Sequence, residues 1–288
     1  MNNYMIFTDS ACDLSRELLN ERNVPYASLS FRFNGEDKEY FSSDMSIKDF
    51  YNRMRQGEVA KTAAANSVDF TQIFENALAS GEDVLYLGFS SALSTTFNSA
   101  RIACEELKNK YPDRKFFVVD TLCASAGQAL LMDLVIKKRN SGATIEEAAQ
   151  YAEDLKLKIC HWFTVDDLEY LKRGGRVSSS AAFFGNMLGI KPILHVDNNG
   201  KLINVGKIRG RRASVEALTE KYSQLKDEKA EKIVYISHAD CIADAEYLAK
   251  VINEKYGAKT ELITDVGSVI GAHAGPGTLA LFFVGTER

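Results

Sequence analysis

Parallel α/β construction is the fold class this sequence predicts, and three observations predict it. Short β-rich runs recur at residues 5–7, 84–87 and 116–119. Each ends in small polar residues: Thr8-Asp9-Ser10, Gly88-Phe89-Ser90-Ser91 and Asp120-Thr121. Each is then followed by a helical pattern, the alternation that a parallel sheet covered by helices requires. Ligands of such sheets bind beyond the carboxyl ends of the strands, so these three junctions are the first places to look for a site.

Further along, residues 124–138 read as a buried helix that Ser141-Gly142 ends. Thr144 caps a second helix over 145–157, with Glu146 and Glu147 in its first turn, where carboxylates meet the positive end of the helix dipole. That helix leads into a second domain, which predicts a division into residues 1–158 and 159–288 with a ligand site between. From His161 the pattern becomes a strand or short helix, then Arg173-Gly174-Gly175-Arg176, an apolar stretch to Ile190 and a strand over 191–196. Asp197-Asn198-Asn199-Gly200 is a hairpin turn into a strand over 201–208. An α/β rhythm then returns: helix 214–224, strand 232–237, helix 243–256, strand 260–265 and strand 278–284. Between the last two strands lies Gly267-Ser268-Val269-Ile270-Gly271-Ala272-His273-Ala274-Gly275-Pro276-Gly277. Its glycines and proline predict a tightly specified loop.

Composition narrows the function classes. With 288 residues, 45% of them apolar, the chain has material for a substantial core. A net charge of -4 with interspersed signs argues against nucleic acid as a partner, because phosphate binding needs a positive surplus. The start Met1-Asn2-Asn3-Tyr4 lacks a basic segment before a long apolar one, and no apolar run approaches the ~20 residues of a membrane span, so a cytoplasmic protein is expected. The five cysteines are isolated and read as buried thiols. Neither GxxxxGK[ST] nor a GxGxxG after a strand occurs, and His161, His195, His238 and His273 are scattered, so no cofactor or metal is expected.

The strongest local signal is the stretch from Gly88 to Ala100, where a strand feeds a hydroxyl-dense turn that opens a helix. Free backbone N–H groups at a helix start favour anions, which puts Ser94, Thr95 and Thr96 around an anion site. The bland alternative is a serine-rich helix cap without a ligand. Gly88-Phe89-Ser90-Ser91-Ala92 also approaches the G-x-S-x-G nucleophile elbow without its last glycine, and Asp265 and His273 follow in the order a hydrolase triad needs. Asp9 and Asp120 close strands and suit loop orientation better than ligand contact. Thr62, in Lys61-Thr62-Ala63-Ala64-Ala65-Asn66-Ser67, lies in what reads as a helix approach. Arg173-Gly174-Gly175-Arg176 and Arg209-Gly210-Arg211-Arg212 are either solvated surface charge or a docking patch for an acidic partner or phosphorylated ligand.

Seven motifs in order resemble the DegV family over nearly the whole chain. They are Thr8-Asp9-Ser10 with Asp13-Leu14, Lys61-Thr62, Ser90-Ser91-Ala92-Leu93-Ser94-Thr95-Thr96 with Asn98-Ser99-Ala100, Val118-Val119-Asp120-Thr121, the run from Leu168 to Ser178, Ile190-Lys191-Pro192-Ile193-Leu194, and the glycine-rich stretch 267–277. The resemblance implies a Rossmann-like parallel-sheet domain plus a second α/β domain, with one long-chain fatty acid between them. It implies a non-catalytic subunit that presents the carboxylate to a partner fatty-acid kinase for acyl-phosphate formation in phospholipid synthesis, with transient contact to a membrane surface. Carried over, the carboxylate ligands are Thr62 and Ser94, with Thr95 and Thr96 adding donors and His273 nearby. Arg173, Arg209 and Arg211 resemble the family's basic positions near the pocket mouth. Phe183, Phe184, Met187 and Leu188 are apolar candidates for closing the pocket end. Two departures stand out: Ala63-Ala64-Ala65 where the family commonly reads Ser-Gln-Pro, and Thr95 where it reads Gly, a change expected to alter how closely the backbone approaches the head group.

Overall fold

A computed structural model describes residues 3–177 and 189–288. In chain order it runs β1 (Tyr4–Asp9), α1 (Arg16–Glu21), β2 (Tyr26–Ala27), β3 (Ser30–Phe33), α2 (Ile47–Arg55), β4 (Ala60–Ala63), α3 (Ser67–Ala79), β5 (Asp83–Gly88), α4 (Thr96–Lys110), β6 (Phe116–Asp120), α5 (Ala126–Asn140) and α6 (Ile145–Leu155). It continues with β7 (Ile159–Thr164), α7 (Glu169–Arg173), β8 (Ile190–Val196), β9 (Leu202–Arg209), α8 (Arg211–Leu225), β10 (Ile233–His238), α9 (Ile242–Tyr256), β11 (Lys259–Asp265), α10 (Ser268–Ala274) and β12 (Leu279–Val284).

The fold is mixed α/β. The first sheet, ordered β2-β1-β5-β6, is parallel throughout. Its central strands are covered on both faces, which is why Ile6, Phe7 and the run from Val84 to Leu87 are all fully buried rather than alternating. The second sheet, ordered β11-β10-β12-β7-β8-β9, is parallel only at β10–β11 and antiparallel elsewhere, so the α/β rhythm of the later sequence does not extend to a parallel sheet there. β3 and β4 form a separate antiparallel pair.

Between the two sheets lies α5, which is buried on every side from Ala126 to Met132 and carries Lys137, Lys138 and Arg139 in its last turn. Its Ala129, Leu130, Leu131 and Met132 are fully buried in one cluster with Ile6, Leu85 and Leu87 of the first sheet and Phe163, Tyr235, Ala280 and Phe282 of the second. The capping chemistry at Thr144 is a complete capping box with Glu147, and Asn66 with Asp69 makes a second at the start of α3. The hairpin turn at 197–200 joins β8 to β9, and there Gly200 takes φ 74°.

Some expectations are corrected. The stretch 61–67 does lead into a helix, α3, but Thr62 itself sits on β4. The glycine-rich stretch is the short helix α10 between Gly267 and Gly275, not a loop. Gly271 within that helix is required because a Cβ there would stand 2.3 Å from the Tyr51 hydroxyl oxygen. Four cysteines are buried and Cys241 is half-buried. Phe183, Phe184, Met187 and Leu188 lie outside the described residues. No helix among the described residues is long and apolar enough to cross a membrane.

Candidate functional site

A cavity of about 480 Å³ opens where the turn after β5, the strand β4, the helix α10 and the inner face of the second sheet meet. That volume lies in the range of small-molecule sites. The apolar wall includes Phe89, Leu93, Phe163, Val269 and Phe282; Thr62, Ser94, Arg176 and His273 supply polar groups, and Ser125, His161, Ser237 and Thr278 also line the cavity.

The fold positions each of these groups. β4 pairs with β3, Thr62 opposite Phe31, which fixes the strand that carries the Thr62 hydroxyl. β5 ends at Gly88, and the following turn is anchored from below by the fully buried Asp9, whose carboxylate accepts from the Tyr86 hydroxyl at 2.6 Å, Phe89 N–H at 2.9 Å and Ala11 N–H at 3.0 Å. Asp120 accepts from the Ser91 and Leu122 N–H groups on the neighbouring turn. Both aspartates therefore orient loops. Ser94 Oγ accepts from the Thr96 N–H at 3.2 Å and lies 2.9 Å from Thr96 Oγ1, so it faces the cavity while satisfying the start of α4.

His273, near the end of α10, places Nε2 2.8 Å from Thr62 Oγ1. Gly174 allows this placement, because a Cβ there would lie 2.2 Å from His273 Nδ1. Burial holds the imidazole pKa down to about 4, with the Arg176 guanidinium adding to the effect. The ring is neutral near pH 7 and carries one proton. Nδ1 is buried with no hydrogen-bond partner among the described residues. A bare lone pair costs less there than an orphaned N–H, so we assign the proton to Nε2, which donates to Thr62 Oγ1. The Thr62 hydroxyl proton is then free to donate into the cavity.

This state has a pH consequence. Because the folded pKa lies below the unfolded one, its stabilising contribution is complete above about pH 6.5 and is lost as pH falls toward 4, by up to about 3 kcal/mol. Chemical denaturation at pH 7 and at pH 4 is expected to show the native chain losing about 3 kcal/mol more stability over this interval than His273→Asn; equal losses would refute the assignment.

Not every predicted residue reaches the cavity. Thr62, Ser94, Thr95 and His273 line it. Thr96 is fully buried behind Ser94. Thr95 is exposed with φ -78° and ψ -3°, an ordinary helical conformation, so the backbone there has no need of the glycine the family carries. Arg173 is exposed against the Tyr170 ring. Arg209 is exposed at the end of β9, and Arg211 pairs with Asp244 at 2.8 Å and Asp166 at 3.6 Å. None of these three arginines lines the cavity; Arg176 does, and its Nε donates to the Leu93 carbonyl beside Ser94 at 3.2 Å. The arginine that faces the site is thus the other one of the Arg173-Gly174-Gly175-Arg176 cluster.

The hydrolase arrangement is not assembled. Ser90 Oγ is buried and donates to the Gly200 carbonyl at 2.9 Å, His273 is engaged by Thr62, and Asp265 faces His238 at 3.6 Å. No Ser–His–Asp relay exists among the described residues, nor does any group of three or more metal-ligating side chains.

Comparison with known proteins agrees with this architecture. The family model described as "Uncharacterised protein, DegV family" matches residues 3–286. A DegV domain-containing protein of Clostridium perfringens is 43% identical over 100% of this chain and 99% of its own. A protein of Thermotoga maritima named as a fatty acid-binding protein is 36% identical, covering 84% of this chain and 83% of its own. Among solved structures, a DegV lipid-binding protein of Thermotoga maritima superposes with a TM-score of 0.87 at 32% identity, covering 99% of both chains.

Proposed function

The chain belongs to the DegV family, and from that premise we propose that it binds one long-chain fatty acid, buries the acyl chain in the cavity and presents the carboxylate to a partner kinase. In this reading the protein is a non-catalytic, cytoplasmic subunit divided at residues 1–158 and 159–288, and the kinase converts the carboxylate to an acyl phosphate for phospholipid synthesis. The observation that carries the proposal is a cavity that combines the hydroxyls of Thr62 and Ser94 and the Arg176 guanidinium with a wall of phenylalanine, leucine and valine.

The energetics suit that ligand. Burial contributes ~0.8 kcal/mol per methylene, so a chain of about sixteen carbons supplies on the order of 10 kcal/mol before ordering costs are subtracted. The carboxylate would oppose burial unless donors satisfied it. Thr62, with its proton left free by His273, and Ser94 can donate without a bidentate ion pair, and Arg176 adds positive potential. An oxygen held this way keeps lone pairs with which to attack a phosphoryl group. Arg209 and Arg211, away from the cavity wall, serve in this reading to attract the kinase or the phosphorylated head group, and transient contact with a membrane surface would supply the ligand.

Lipid extraction of the purified protein followed by mass spectrometry is expected to yield a long-chain fatty acid in near-stoichiometric amount. A cavity that is empty and also refuses added palmitate would overturn the proposal. Retention of short anions alone would assign the site to another carboxylate.

A further inference from the structure

Ser237, Ala280 and Phe163 stand in register on the neighbouring strands β10, β12 and β7, and all three line the cavity. Ser237 is the hydroxyl in a row that is otherwise alanine and phenylalanine, and it is fully buried. Ser125, on the turn between β6 and α5, brings its Oγ to 3.0 Å from Ser237 Oγ and also hydrogen-bonds the Asp13 carboxyl. The Ser125 backbone is held at φ 54° and ψ -147°, outside the comfortable region for a residue with a side chain, so the surrounding structure over-determines its position.

A serine hydroxyl carries one proton and cannot donate to both neighbours. The contact with Ser237 has the geometry of Ser125 donating. The contact with Asp13 also has the geometry of Ser125 donating to a carboxylate, so both contacts are satisfied at once only when Asp13 is the neutral acid and its Oδ2–H donates to Ser125. Burial pushes the Asp13 carboxyl up to about 7, with Asp265 and Asp9 adding to the rise and the Ser125 hydroxyl and Gly267 N–H opposing it. Among the described residues Asp13 Oδ1 makes no hydrogen bond of good geometry, as suits the carbonyl oxygen of a neutral acid better than a carboxylate. The relay therefore runs from Asp13 Oδ2–H to Ser125 Oγ and from Ser125 Oγ–H to Ser237 Oγ. The Ser237 proton is left with no acceptor among the described residues.

Opposite ends of α10 back this polar point and the head-group site. Gly267 abuts Asp13, and six residues further along α10, about 9 Å at 1.5 Å per residue, His273 meets Thr62. We propose that Ser237, backed by Ser125 and Asp13, is a second recognition point that donates a hydrogen bond to an oxygen carried part-way along the acyl chain, so that the ligands of this cavity include hydroxy or oxo fatty acids. The inference rests on the fatty-acid reading above.

The test is calorimetric titration with stearic acid and with a panel of stearic acids carrying one hydroxyl at successive mid-chain carbons. For at least one isomer, Ser237→Ala is expected to lower the ratio of hydroxy-acid to stearate affinity about tenfold while leaving stearate affinity unchanged. Asp13→Asn, whose amide still donates to Ser125, is expected to keep the native ratio. If stearate binds but the ratio is the same in the native chain and Ser237→Ala for every isomer, or if Asp13→Asn abolishes the preference, the recognition point is refuted and the fatty-acid reading stands. If stearate does not bind the native chain, both fall.

Discussion

The double variant Thr62→Val, Ser94→Ala is expected to bind palmitate at least about 100-fold more weakly than the native chain, and to lose about 2–4 kcal/mol of folding stability. A hydrogen bond to a charged group contributes about 1.5–3 kcal/mol, and two such donors are removed from one carboxylate. The acyl chain keeps its apolar wall of Phe163, Val269 and Phe282, so residual affinity should persist and should still grow with chain length. Stability is expected to fall by about 2–4 kcal/mol, because Thr62→Val leaves the His273 Nε2–H without its acceptor and Ser94→Ala removes the acceptor for the Thr96 N–H at the start of α4. Titration of palmitate and thermal melting on the same preparations separate the two effects. A loss of melting temperature in proportion to the loss of binding would mean that these hydroxyls hold the fold and not the ligand.

Asp9→Ala is expected to cost about 3–5 kcal/mol of folding stability, the largest effect of any polar substitution near the site. Burial pushes the carboxyl pKa upward while the Phe89 N–H, the Tyr86 hydroxyl and the Ala11 N–H pull it down. Deleting the carboxylate orphans all three donors in an interior that water does not reach, and each unsatisfied group carries a desolvation penalty of about 1–3 kcal/mol. The turn that starts at Phe89 also carries Ser94, so ligand affinity should fall together with stability. Asp9→Asn keeps one acceptor oxygen and should show a smaller loss. Denaturant midpoints of the two variants check the ranking; a change under about 1 kcal/mol for Asp9→Ala would refute the anchoring role.

Much of this architecture is written in local pattern. Three apolar runs, each ending in an aspartate or a glycine beside hydroxyls, predict the strands β1, β5 and β6, because strands covered on both faces carry continuous apolar sequence. The helix start at Ser94-Thr95-Thr96 and the cap at Thr144 follow from side chains that satisfy backbone N–H groups a few residues away. What stayed illegible depends on distant contacts. β3 and β4 hold together because Phe31 and Phe33 pack against Phe50 of α2, a relation no window of sequence contains. α10 reads as a loop because glycine normally opposes helix, yet Gly271 is there to admit the Tyr51 hydroxyl. Arg176 rather than Arg173 faces the cavity because the chain turns through Gly174-Gly175, with Gly175 at φ 67°, and the direction of that turn is not encoded in charge pattern.

The position of β12 governs when such a protein becomes competent. It follows every other described strand in sequence, yet it sits inside the second sheet, between β10 and β7. Its Ala280 and Phe282 supply part of the cavity wall. Until residues 279–284 leave the ribosome, β10 and β7 present unpaired edges to each other and the pocket lacks that surface. Closing the sheet then demands contacts across more than a hundred residues of chain, from Phe282 to His161, a topology that folds slowly. Ligand capture therefore waits until residues 279–284 have been made, and the nascent chain passes through a stage with open sheet edges that favours aggregation.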